Sequence, residues 1–216
     1  MKDAITILIY IHAFFGAVGL ITGIGSVIVK KGSAIHKKMG KLFSVGMLIS
    51  SLISLVITCL PQHENTFLFL IGLFTIYLVL AGNRALTFKL KREADWKDKM
   101  ISGTMLFFSV IMILNGIYGL FNEVNMSVLF LFFGSFGLFM SLQDFRFYRN
   151  PEKPKNIWLR LHIGKMIGAL IASFTAFIVA GLGIGNIISW TLPTIIGTLY
   201  IVYWKRKINA KVPAKS

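Results

Sequence analysis

Lysine and arginine enter this chain after every second apolar stretch and almost nowhere else. Of 23 Lys and Arg residues, 22 fall in four clusters: Lys30 to Lys41, Arg84 to Lys99, Arg146 to Lys165, and Lys205 to Lys215. The alternate gaps, Pro61 to Thr66, Asn122 to Asn125 and Gly181 to Gly185, carry no basic residue. A membrane imposes this alternation, because positive loops resist translocation and stay on the cytoplasmic side. With 56% hydrophobic and 14% charged residues and a mean hydropathy of +0.74, the chain has too much apolar surface for a soluble fold. Several runs approach the roughly 20 residues that cross a bilayer core.

The runs predict seven spans: Ala4 to Val29, Gly40 to Leu60, Thr66 to Phe88, Ile101 to Phe121, Met126 to Leu142, Ile157 to Leu182, and Asn186 to Trp204. Backbone polar groups in hydrocarbon must be satisfied within their own segment, so each span is expected to be a helix and the fold class all-α. Runs that are continuously apolar, not alternating, exclude a β-barrel. Placing all four basic clusters in the cytoplasm puts the N-terminus outside and the C-terminus inside, and seven crossings satisfy that. The expected organisation is one transmembrane domain over 1–204 and a basic cytoplasmic tail over 205–216, in a bacterial inner membrane. Trp158, Trp190 and Trp204 sit near span boundaries, where aromatic rings gather. Gly16, Gly19 and Gly23, then Gly134 and Gly137, then Gly164, Gly168 and Ala172, recur at helical spacing. They are read as seams where helix backbones approach closely.

The formal net charge of +15 would raise nucleic acid as a partner of a soluble domain. Here the bases of the spans carry the charge, and anionic lipid headgroups at the cytoplasmic face are the expected partner, with no nucleic acid. The single cysteine, Cys59, excludes an internal disulfide and a cysteine-based metal cage. The segment after Met1-Lys2-Asp3 has no basic region and no convincing cleavage site, so it is read as a retained first span.

Polar groups inside a bilayer are costly and mark the places to look for function. His12 lies eight residues into the first span, about 12 Å below the outer surface at 1.5 Å per residue. It is either a neutral imidazole bonded to a neighbouring helix, through Asn115 or a serine, or a ligand and proton carrier. His36 and His162 belong to the inner side and are close enough in depth to pair. Asn83-Arg84 closes the third span and Asp144 the fifth, and the expected partner of Asp144 is Arg84 or Arg160. Together His36, Arg84, Asp144, Arg160 and His162 form the candidate inner polar cluster. No residue set has metal-site spacing, and no Ser-His-Asp, zinc-type or paired-carboxylate motif is present.

Some of these residues carry a family likeness. His12, Gly16, Gly19, Gly23, Lys31-Gly32, His36 and Gly40 resemble the opening of the bacterial membrane proteins grouped as domain-of-unknown-function family 2306. Asn83-Arg84-Ala85 fits the segment between, and Trp158, His162, Met166, Gly168, Ala169 and Ala172 to Phe177 look like its second signature. The likeness spans nearly the whole chain. It departs where the family shows His-Arg-Arg and this chain has His36-Lys37-Lys38, which keeps charge but alters geometry. It implies a multi-span membrane protein, supplies no activity, and favours His12, His36, Arg84, Asp144 and His162 as a set.

Three functional readings follow. The first is a membrane redox protein with a b-type haem held by histidines, among which His12, His36 and His162 supply at most one axial pair. The second is a small transporter or channel, against which stands the lack of paired broken helices. The third is an accessory protein or an enzyme acting on lipid or quinone at the inner leaflet, where Arg84 and Arg160 suit phosphate oxygens.

Overall fold

The computed structural model describes residues 2–91, 93–124, 126–150 and 155–210. They form seven α-helices: α1 (Lys2–Ile28), α2 (Ala34–Ile57), α3 (Thr66–Ala85), α4 (Trp96–Phe121), α5 (Ser127–Arg149), α6 (Ile157–Ala176) and α7 (Ile187–Ala210). A 3-10 turn over Leu86–Lys89 extends α3, and a π-helical turn over Phe177–Gly181 extends α6. No strand occurs among the described residues. The all-α expectation holds, and α1 to α6 are each long and apolar enough to cross a bilayer. The architecture is that of a multi-pass membrane protein.

Several boundaries move outward from the predicted spans, each for a local reason. α2 begins at Ala34 instead of Gly40 because Ser33 caps it, its side chain accepting from the His36 backbone N–H. The cap satisfies an orphan donor and places Lys37, Lys38 and Lys41 on the first helical turns. α4 begins at Trp96 instead of Ile101 through a capping box, in which Asp95 and Asp98 each accept from the other's backbone N–H. α5 runs past Leu142 to Arg149, so Asp144 lies within a helix and does not close one. α7 continues to Ala210, making Lys205, Arg206 and Lys207 helical. Residues 211–216 of the expected tail lie outside the described residues.

Helix α3 is the hub. In its membrane window 61% of residues are buried, against 6% for α1, which lies at the periphery. Around α3 stand three pairs of packed neighbours: α1 with α2, α4 with α5, and α6 with α7. Phe74, Leu78 and Val79 of α3 pack with Phe43 and Met47 of α2, Met105 of α4 and Ala169 of α6 in the main buried cluster. A second cluster joins Phe67, Leu70 and Ile71 to Met112. The outer faces of α1, α4 and α7 carry Tyr10, Phe14, Phe107, Leu114, Ile196 and Leu199, all well exposed. An apolar exterior of this kind suits lipid, not water.

The glycine seams of α1 and α5 have identifiable partners. A Cβ on Gly19 would meet Met47, and one on Gly134 would meet Met112 and Ile113, so the small residues set the α1–α2 and α4–α5 distances. The α6 seam is looser: a Cβ on Gly168 would find only ordinary contact with Leu78. Backbone itself approaches closely at Gly46, where a Cβ would lie 2.9 Å from the Phe15 carbonyl oxygen and 3.0 Å from the Gly19 nitrogen. Backbone cannot step aside as a side chain does. Gly46→Val is therefore expected to cost about 1–3 kcal/mol, read as a lowered unfolding midpoint in detergent, whereas Gly40→Ala, inside α2 with open space around it, should not lower the midpoint.

Candidate functional site

The predicted polar cluster separates into three places. The first is a cavity of about 750 Å³ between the α1–α2 pair and the α6–α7 pair, backed by α3. The two pairs touch where α1 meets α6. Gly23 on α1 allows that contact, since a Cβ there would strike Phe43 and Leu170. Phe43, Leu48, Met166, Ile167 and Leu170 line the apolar depth. Lys31, Lys37, Lys41 and Lys207 line the opposite end together with Trp158 and Trp204.

His36, His162 and Asn83 all line this cavity. His36 sits on the first turn of α2, and its Nδ1 donates to the Ser26 carbonyl of α1 at 3.0 Å. His162, on α6, donates from Nδ1 to the Gly82 carbonyl of α3 at 2.8 Å. A carbonyl oxygen only accepts, so each Nδ1 carries the hydrogen and, in the neutral ring, each Nε2 holds a free lone pair. Fixing one ring nitrogen on a backbone carbonyl is how proteins orient imidazole for ligation through the other. Asn83 braces the wall, donating to Ser44 Oγ and the Val79 carbonyl, each at 2.9 Å. Lys31 bonds the carbonyls of Ser26 at 3.2 Å and Val29 at 3.3 Å, and also that of Val27. It thereby caps the C-terminal end of α1, where a cation complements the helix dipole. The same ammonium lies 5.6 Å from the Trp204 ring of α7, tying the two walls at the rim.

The second place is a buried ion pair. Lys165 Nζ donates to Asp144 Oδ2 at 2.8 Å, with side chains 6% and 3% exposed. Tyr77 OH at 2.7 Å and Ser102 Oγ at 2.9 Å donate to the same oxygen. The expected pairing of Asp144 with Arg84 or Arg160 is thus corrected. The extended α5 carries Asp144 inward to face α6, where Lys165 meets it one turn beyond His162. Arg160 lies a turn earlier on α6, and its Nε is buried without a hydrogen-bond partner.

The third place is the rim at the start of α4. Arg84 bonds Asp98 through Nε at 2.5 Å and Asp95 through Nη2 at 2.6 Å. Lys91 completes the group, 3.1 Å from Asp95 and also against Asp98. These partners hold the Asp95 carboxyl well below the usual aspartate range, the Asp98 backbone N–H first among the causes, then Lys91 and Arg84. A depressed folded value means that the contribution is present above the unfolded value and lost as pH falls through the folded one. Asp95→Ala is expected to lower the thermal midpoint at neutral pH and to flatten its fall below pH 3.8, checked by melting curves across acid pH.

His12 stands apart from all three. Its Nδ1 bonds the Ser50 carbonyl at 2.9 Å, and Ser50 Oγ returns a bond to the His12 carbonyl at 3.0 Å. It joins α1 to α2 through a serine, and Asn115 instead donates to the Ile111 carbonyl of its own helix. The groups that sequence reasoning missed are Lys165, Tyr77, Ser102 and Tyr148. Lys165 left a signal, since a lysine eight residues into an apolar run needs a counter-charge. No family model, curated protein or solved structure matches the chain.

Proposed function

We propose that this membrane protein binds a b-type haem in the cavity, between His36 and His162, and serves in one-electron transfer. The observation that carries the reading is the matched pair of imidazoles. Both are tethered through Nδ1 to backbone carbonyls, and both line one cavity of about 750 Å³. Haem iron in membrane redox proteins takes axial imidazole ligands, and the iron would supply the electron-carrying chemistry. Phe43, Leu48 and Leu170 suit the faces of a flat macrocycle, and Lys31, Lys37, Lys41 and Lys207 suit its propionates. Of the three candidate ligands His12, His36 and His162, the reading keeps the last two.

The four lysines also favour a second reading, in which the occupant is a metal-free amphiphile with a phosphate or carboxylate head, such as a lipid or quinone-type molecule at the inner leaflet. An absorption spectrum with metal analysis of protein purified from haem-replete cells separates the two. The first reading expects a Soret band with low-spin character and about one iron per chain. A folded, colourless, iron-free preparation that also stays colourless with added haemin overturns it.

The proposed setting is a bacterial inner membrane with the cavity mouth and all basic links in the cytoplasm, since positive loops are retained there. Anionic headgroups are the proposed partners of those links, each lysine near the surface contributing about 1 kcal/mol. Membership of family 2306 is proposed on the His12-to-Gly40, Asn83-Arg84 and Trp158-to-Phe177 segments.

A further inference from the structure

The Asp144–Lys165 pair is not an isolated lock. Five polar side chains from four helices meet at it: Tyr77 of α3, Ser102 of α4, Asp144 and Tyr148 of α5, and Lys165 of α6. Three donors converge on Asp144 Oδ2: the Lys165 ammonium, the Tyr77 hydroxyl and the Ser102 hydroxyl. A structural lock between two helices needs one such bond. From Ser102 Oγ the chain continues, 3.0 Å to Tyr148 OH. That hydroxyl lies 3.5 Å from the Asp98 carbonyl. Asp98 belongs to the rim group with Arg84 and Lys91, whose side chains are 24% and 26% exposed. Hydroxyls therefore connect Asp144 to the half-buried Tyr148, whose OH lies beside the backbone of that basic rim.

We propose that Asp144 is a proton-binding site within the bilayer, reached from the basic face through Tyr148 and Ser102. Each hydroxyl in the path accepts a proton on its oxygen and passes on its own, so both end unchanged. The proton from water at the rim finishes on Asp144, converting carboxylate to acid. The ion pair, neutral in sum, then carries one positive charge on Lys165. The titratable or charged groups facing the pair or its path are Tyr77 and Arg84 from α3, Asp98 from α4, Tyr148 from α5, and Lys205 from α7, itself beside Arg160 of α6. The site does not depend on what occupies the cavity.

Infrared difference spectra of the full-length protein in phosphatidylcholine vesicles, taken on stepping the pH, test this. A carboxylic acid C=O band should appear on acidification, shift with ¹³C-aspartate labelling, and vanish in Asp144→Asn. Tyr148→Phe and Ser102→Ala preserve packing volume closely, and should keep the band while slowing its appearance on the order of a hundredfold, the scale of one positioned proton-transfer group. If Asp144→Asn does not fold, the labelled band and the Tyr148→Phe rate still decide. The proposal is overturned if no labelled aspartate band forms, if Asp144→Asn retains the band, or if both path variants match the wild-type rate.

Discussion

Lys165→Met should be the most destabilising single substitution in the bundle, costing about 3–5 kcal/mol as the uncompensated partner of a buried ion pair. The Asp144 side chain is 3% exposed, so removing the ammonium leaves a carboxylate in a low-dielectric interior with only the Tyr77 and Ser102 hydroxyls to hold it. Charge at that depth is among the costliest features a membrane helix can carry. Methionine keeps the length and apolar stem of lysine, which isolates the charge from the packing. Adding Asp144→Asn to the same chain should recover most of the loss, because the amide oxygen still accepts from Tyr77 and Ser102 while no unpaired charge remains. Thermal unfolding in detergent reads both. A Lys165→Met midpoint equal to wild type, or a double variant no better than the single, would show that the pair does not hold the two helices together.

His162→Ala and His36→Ala should each weaken haemin binding by at least about a hundredfold, whereas His12→Ala should leave it within error of wild type. All three histidines bond a backbone carbonyl through Nδ1, so tautomer and anchoring are shared by the three. Only His36 and His162 line the cavity. Haemin titration of the purified variants, followed in the Soret region, separates cavity placement from mere membrane burial. Equal loss in all three variants, or loss in His12→Ala alone, contradicts the assignment.

The alternation of apolar and basic segments was enough to foresee seven helices and their order, because length and charge placement are properties of single segments. Helix ends were harder to foresee. Ser33, Asp95 and Asp98 extend α2 and α4 beyond their apolar runs by satisfying backbone donors, and hydropathy does not register a cap. The site was legible only in part for a related reason. His36 and His162 stood out as polar groups at one depth, and both line the cavity. Asp144 was paired with the wrong cation because register between α5 and α6 depends on how far each helix continues. Lys165 falls both in the third basic cluster and in the sixth predicted span, and hydropathy does not single it out as a partner for Asp144. Tyr77, Ser102 and Tyr148 gave no signal at all, being ordinary residues whose role comes from three other helices.

The proposed placement of every basic link and of the cavity mouth on the cytoplasmic face underlies the proposed function. Cys59, the single cysteine, is exposed and free, and it follows α2 at the end opposite the basic links. In intact cells a membrane-impermeant maleimide should label Cys59. With Cys59→Ser as background, it should fail to label Lys37→Cys or Lys207→Cys until the membrane is opened. Labelling of Lys37→Cys or Lys207→Cys in sealed cells, with Cys59 protected, would invert the topology and contradict the account.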